Sequence, residues 1–179
     1  MKSSNFTLEK ISPKYYQLLF NYYNDNKNHL EPWEPTRVEN YYSLDFHIKR
    51  IDERLKLMNE NKSMHLFMLN DSKSEIMGVC NYTKIKDGKC WLGYSISSKY
   101  EGRGYMYEGV IQGNEFMFRE YQITQLKAGV IIRNKRSEKL ISRLGFIPTG
   151  KSEKMEINSE VEQLEIYKLT NPASTTSLL

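Results

Sequence analysis

The chain is 179 residues long, carries a formal net charge of +4, and is 39% hydrophobic and 12% aromatic. It is long enough for one domain with a core of its own. It has no basic run dense enough to hold nucleic acid unaided, no apolar run of membrane-spanning length, and no signal-peptide core between Met1 and Tyr16; a cytoplasmic globular protein without a membrane or direct nucleic-acid partner is expected.

Phe6 to Ile11 reads as a first strand. Ser12-Pro13 then opens a helix, with serine as cap and proline at the first helical position, and Tyr16, Leu19, Phe20 and Tyr23 form its apolar stripe. Asn24 to Asn28 is a polar break, and Leu30 to Arg37 is an irregular loop with two prolines and a tryptophan. A long helix is expected from about Tyr41 to Asn61, because Leu44, Ile48, Ile51, Leu55 and Met58 recur at three- and four-residue steps.

Three strands follow: Met64 to Leu69, Glu75 to Lys84, and Lys89 to Ile96. Gly78 marks a local irregularity in the second. Asp87-Gly88 is a two-residue hairpin turn. It sets Lys86 opposite Lys89, Ile85 opposite Cys90 and Cys80 opposite Ser95. Cys80 and Cys90 are then too far apart to bond, so they are expected as buried free thiols.

A helix is expected after the glycine-containing turn, ending near Tyr121. Gln125 to Arg133 reads as a strand buried on both faces. Asn134 caps the next helix, Leu140, Ile141 and Leu144 form its apolar face, and Gly145 stops it. Phe146 to Met155 and Glu162 to Leu169 are two closing strands. The expected fold class is α/β: one mixed sheet with helices on its faces, a single domain over residues 1–170, and a disordered tail over 171–179.

The segment from Trp91 to Glu108, WLGYSISSKYEGRGYMYE, is the most informative. It reads as strand, glycine turn and first helical turn. Glycines at 102 and 104 let the backbone turn tightly and approach a ligand. The helix that starts there directs free N–H groups and a partial positive charge outward. This is an anion site, suited to a pyrophosphate.

Lys99-Tyr100-Glu101-Gly102-Arg103-Gly104 resembles the Gln/Arg-x-x-Gly-x-Gly/Ala turn of the GNAT superfamily of acetyl-coenzyme A-dependent N-acetyltransferases. Arg133-Asn134 through Ser137 to Leu144-Gly145-Phe146 resembles that family's second cofactor motif. The resemblance spans nearly the whole chain and is strongest to the RimJ/RimL branch, on the RimJ side, through Leu30 to Arg37, Leu92 to Ile96 and Asn134 to Ser137. It implies a GNAT-like fold with a splayed mixed sheet flanked by helices. The implied reaction moves acetyl from acetyl-CoA to an amine, in this branch the N-terminal amino group of a ribosomal protein, by direct attack on the thioester. No metal is implied, and the chain is expected as a monomer or homodimer. Two departures stand out: Glu101 replaces the usual Gln or Arg, and Gln163-Leu164 replaces an Asp-His pair on the last strand.

The resemblance assigns the cofactor pyrophosphate to the backbone N–H groups of Gly102, Arg103, Gly104, Tyr105 and Met106, and the pantetheine arm to the backbone of Tyr94 and Ile96 and to Asn134. Arg136, Lys135 and Lys139 either meet phosphates or form a solvated basic face. Ser137 is either an ordinary first-turn polar residue or a donor to the departing sulfur. Glu34 and Glu108 are the candidate bases. Trp33, Glu34 and Arg37 would line the acceptor pocket, unless that loop only packs on the sheet. His29, His47 and His65 are scattered without metal-ligand spacing and are expected to be structural. Two other functional classes fit the same residues: acetylation of a small polyamine or antibiotic, and a non-catalytic acyl-CoA-binding module.

Overall fold

A computed structural model describes residues 5–175 of the chain. Its centre is a seven-stranded sheet in the order β1-β2-β3-β4-β5-β7-β6, formed by β1 (Phe6–Lys10), β2 (Met64–Asn70), β3 (Ile76–Lys86), β4 (Lys89–Ile96), β5 (Gln125–Ile131), β6 (Ile147–Ile157) and β7 (Glu160–Thr170). Every neighbouring pair is antiparallel except β4 and β5, which run parallel.

That parallel pair decides the architecture. β4 and β5 are in register at Lys89↔Gln125, Cys90↔Leu126 and Trp91↔Lys127, and nowhere beyond. β4 continues to Ile96 on β3, and β5 continues to Ile131 on β7. The sheet therefore opens into a wedge. Its β4 wall, from Leu92 to Ile96, is roughly 16 Å of strand edge without a ladder partner.

β2 shows why helices cover both faces of the sheet. Met64 to Leu69 are all buried, and successive side chains of a strand point to opposite faces. Met64, Leu66 and Met68 join the core beneath α4 (Tyr105–Glu120) and α5 (Lys135–Arg143). Phe67 and Leu69 join a second core beneath α1 (Tyr16–Asp25) and α3 (Leu44–Asn59). Between α1 and α3 lie a four-residue helix, α2 (Lys27–Leu30), and two 3-10 turns, Glu31–Trp33 and Glu39–Tyr42.

Several boundaries differ from the sequence reading. Pro13–Tyr15 is a single 3-10 turn, and the Ser12 side chain makes no capping bond. The long helix begins at Leu44, not Tyr41, because Ser43 Oγ accepts a hydrogen bond from Phe46 N at 3.2 Å and caps it. It ends at Asn59. β5 is buried on one face: Leu126, Ala128 and Val130 point inward while Gly129 is exposed. The hairpin pairs Lys86 with Lys89 as expected. A bulge then follows at Lys84, which has φ +53°, and shifts the register by one, so Cys80 faces Tyr94 instead of Ser95. Both cysteines are buried and unbonded. Of the tail expected to be disordered, Pro172–Thr175 form one helical turn, α6, and residues 176–179 lie outside the described residues. No described helix is long and apolar enough to cross a membrane.

Candidate active site

β4 ends at Ile96, and the chain makes a 3-10 turn over Ser98–Tyr100. Two hydrogen bonds fix that turn: Ser97 N donates to Met77 O at 2.8 Å, and Ser98 N donates to Asn26 Oδ1 at 2.9 Å. Gly102 (φ +75°) and Gly104 (φ +82°) follow in left-handed conformations that cost other residues roughly 1–2 kcal/mol. A Cβ at either position would meet nothing within 4 Å. Conformation and open access therefore call for glycine here, not crowding.

Gly104 is also the N-cap of α4, and it supplies no side-chain acceptor. The first N–H groups of a sixteen-residue helix are thus left without a cap. Tyr105 packs edge-on against Phe6 and Tyr100, and the Met106 side chain is in the core. The Met106 side chain is thereby withdrawn, leaving its backbone N–H at the helix start. Arg103 is exposed. Glu108 is exposed in the first turn of α4; its N–H donates to Gly104 O at 3.2 Å, and its carboxylate has no hydrogen-bond or ion-pair partner among the described residues.

The other wall of the wedge comes from β5 and α5. Asn134 Oδ1 accepts from Ser137 N at 3.1 Å and caps α5, as the sequence implied. Gly145 closes that end of the chain segment with φ +85°. Tyr94 reaches across from β4, and its hydroxyl shares a 2.8 Å hydrogen bond with Ser137 Oγ. Burial pushes the Tyr94 hydroxyl up to about 12. At the rim, Arg136 Nη1 donates to Glu101 Oε1 at 2.5 Å. Lys135 is paired with Glu138 at 2.7 Å.

Glu34 and Arg37 gather on the opposite face, with α1 and α3, while Trp33 lies against Arg133. Glu34 Oε2 accepts from Arg37 Nη2 at 2.7 Å. The Arg37 guanidinium lies 4.4 Å from the Tyr41 ring centroid and 5.2 Å from that of Tyr42, and it also donates to the Tyr42 hydroxyl. Arg50 donates to Tyr41 Oη at 2.7 Å. Tyr22 reaches the sheet from this face and shares a 2.9 Å bond with Ser95 Oγ. Tyr94 and Ser95, consecutive on β4, thus serve opposite faces.

The segment 32–36 is strapped over the far end of the wedge. Arg133 Nη2 donates to Pro32 O at 2.8 Å, its guanidinium sits 4.6 Å from the Trp33 ring centroid, and its Nε donates to Glu162 Oε1 at 2.6 Å. Thr36 N donates to Glu156 O at 3.3 Å, and Asn158 N donates to Thr36 Oγ1 at 2.9 Å. Arg133 and Tyr22 carry no assignment in the sequence reading. Arg133 borders Asn134 in the motif, but its partners are remote in sequence. Gln163 is exposed on β7 and its carbonyl accepts from Ile132 N at 3.1 Å; Leu164 pairs with Ile131.

His47 and His65 are buried. Desolvation, reinforced by Arg50, Arg54 and Arg37, brings His47 down to about 4. Desolvation and Arg54 bring His65 down to about 3. Burial raises both cysteine thiols to about 12, which removes them as nucleophiles. No group of three or more metal-ligating side chains occurs among the described residues.

The acetyltransferase (GNAT) domain model matches residues 5–147. The [ribosomal protein uS5]-alanine N-acetyltransferase of Escherichia coli (strain K12) is 32% identical over 135 residues, 74% of this chain and 70% of that protein. The crystal structure of the ribosomal-protein-S5-alanine acetyltransferase from Vibrio fischeri superposes with a TM-score of 0.89 at 25% identity, covering 96% of each chain. RimL, a ribosomal L7/L12 α-N-protein acetyltransferase in complex with coenzyme A, shares the fold with a TM-score of 0.86 at 17% identity over 96% of this chain and 97% of that one. With the wedge, the uncapped α4 and the Asn134-capped α5 in the places the two motifs implied, this chain belongs to the GNAT family of acetyltransferases, which transfer an acetyl group to an amine.

Proposed function

We propose that residues 1–170 form a single acetyltransferase domain that acetylates the N-terminal α-amino group of a protein, with a ribosomal protein as acceptor and acetyl-CoA as donor. The wedge carries the donor half of this reading. One wall is a strand edge with unpaired backbone groups, and one corner is a helix start with uncapped N–H groups. An extended amide-bearing chain ending in a diphosphate satisfies both. The backbone of Tyr94 and Ile96 would pair with the pantetheine arm, with Asn134 beside it. The N–H groups of Gly102 to Met106 would hold the diphosphate, with Arg136 at the rim. When bound, acetyl-CoA supplies a carbonyl activated by its thiol leaving group.

The acceptor half rests on the similarity to the uS5-alanine acetyltransferase and on charge. An α-amino group has a pKa of about 7.7–8.0 and lysine about 10.4, so at neutral pH the neutral fraction of the first is a few hundredfold larger. A chain end therefore needs little help from a base. Glu34, ion-paired with Arg37, is the first candidate base, and Trp33 and Arg37 shape the pocket. Glu108 is exposed on the first turn of α4 and is the second candidate base. Ser137, at the floor of the wedge, would donate a hydrogen bond to the departing sulfur.

The test is acetyl-CoA turnover with peptides that differ only in their first two residues, beside peptides bearing an internal lysine and beside spermidine. Selective acetylation of free N-termini is expected. Turnover confined to lysine side chains or to spermidine rejects the acceptor assignment.

A further inference from the structure

Tyr94 and Ser137 bridge the wedge floor, and their hydroxyls are 2.8 Å apart. The pair ties the open edge of β4 to the first turn of α5, where Asn134 Oδ1 already holds Ser137 N. A serine hydroxyl has one proton to give and can accept two. If that proton pointed to Tyr94, none would remain for a ligand. Tyr94 is the better donor of the two, and its hydroxyl also faces the Ser137 carbonyl at 3.4 Å. Both acceptors on its far side thus belong to Ser137.

We infer that Tyr94 is a positioning residue: its O–H donates to Ser137 Oγ and so directs the Ser137 proton into the wedge, toward the leaving sulfur of the acetyl donor. This rests on the assignment of Ser137 above. In the reaction the amine nitrogen forms the C–N bond and gives a proton to water. The C–S bond breaks, its electron pair stays on sulfur, and the resulting thiolate takes its proton from water. Ser137 hydrogen-bonds the sulfur as its charge grows, and Tyr94 keeps that donor aimed. Cys80, the titratable side chain opposite Tyr94 in the ladder, is a neutral thiol and adds no charge.

The experiment titrates the thiol of bound coenzyme A by the ultraviolet absorbance of its thiolate, at saturating protein, in the parent, Tyr94→Phe, Ser137→Ala and Ser137→Thr. A donor to the thiolate lowers its pKa. The parent complex is expected to titrate about one unit below free coenzyme A titrated in the same buffer, one unit being about 1.4 kcal/mol. Tyr94→Phe and Ser137→Ala should each move it back upward, the double variant should titrate as Ser137→Ala does, and Ser137→Thr should keep the parent value. In turnover, kcat should fall about tenfold in Tyr94→Phe, as loss of one hydrogen bond of this kind implies, with KM for acetyl-CoA unchanged. A Tyr94→Phe titration that matches the parent while Ser137→Ala shifts overturns the role of Tyr94. An unshifted Ser137→Ala overturns the assignment of Ser137 beneath it.

Discussion

The carboxylate of Glu101 and the guanidinium of Arg136 meet at 2.5 Å across the mouth of the wedge. Glu101 precedes the glycine turn, and Arg136 lies in the first turn of α5. An acid at position 101 opposes a diphosphate, and Arg136 neutralises it. The cost is that this arginine is engaged before any phosphate arrives.

Glu101→Gln is therefore expected to tighten acetyl-CoA about three- to tenfold, since it removes the repulsion and frees Arg136. Arg136→Gln should weaken binding more in the parent than in the Glu101→Gln background, because only the parent is left with a bare carboxylate. Calorimetric Kd values at two salt concentrations check both, and the differences should shrink at high salt. Equal effects of Arg136→Gln in the two backgrounds would show that the pair is uncoupled.

Gly104→Ala places a side chain where φ is +82°, at the uncapped start of α4 proposed above to hold the diphosphate. The backbone strain is about 1–2 kcal/mol. Acetyl-CoA affinity is expected to drop at least tenfold, about 1.4 kcal/mol, and Gly104→Glu should abolish binding. Isothermal titration gives the answer; parent-like affinity in Gly104→Glu contradicts the anion site.

Arg133→Gln should loosen the strap over the wedge by cutting its bonds to Pro32 O and Glu162. The arginine is partly exposed, so the loss is expected at about 1 kcal/mol. That predicts about a fivefold rise in KM for the acceptor peptide with KM for acetyl-CoA unchanged. Steady-state kinetics with each substrate varied separates the two.

Gly113 and Gly93 make a matched pair for stability. A Cβ on Gly113 would stand 2.4 Å from Tyr82 Oη. Tyr82 is fully buried and donates to Asn114 Oδ1 at 2.9 Å. The clash outweighs the roughly 1 kcal/mol that alanine adds to a helix, so Gly113→Ala should cost about 1–3 kcal/mol in urea unfolding. A Cβ on Gly93 meets nothing within 4 Å, and Gly93→Ala should stay within about 0.5 kcal/mol of the parent.

His47 sets an acid limit. It stacks on Tyr23 at 5.2 Å and faces Arg50, Arg54 and Arg37. Its folded pKa of about 4 lies below the ordinary 6.5. The unfolded chain thus binds the proton first, and stability present above pH 6.5 is lost as pH falls through about 4. His65 extends the loss to about pH 3, and Glu9, held at about 2 chiefly by its bond to Lys73, adds to it below pH 4.5. His47→Phe keeps the stack and removes one titrating group, so its Tm should fall less than the parent's between pH 7 and 4. A parallel decline would exclude His47 as a source of acid lability.

Much of the site was legible locally. Gly102, Gly104, Asn134 and Gly145 act through backbone angles and caps that extend only a few residues, so a short segment carries the information. The hairpin contact Lys86↔Lys89 also follows from neighbouring residues. The exact start of α3 did not, because Tyr41 suits the apolar period while Ser43 holds the cap.

Tertiary structure alone decided what crosses the wedge. Tyr94 meets Ser137 across 43 positions, Glu101 meets Arg136 across 35, and Arg133 meets Pro32 across 101. No periodicity encodes such pairs. They depend on β4 and β5 parting after Trp91, and on a bulge near Lys84 that shifts a register by one residue. A strand has period two, so that one-residue shift sets which side chain a neighbour opposes, and the outcome is settled only when the whole sheet assembles.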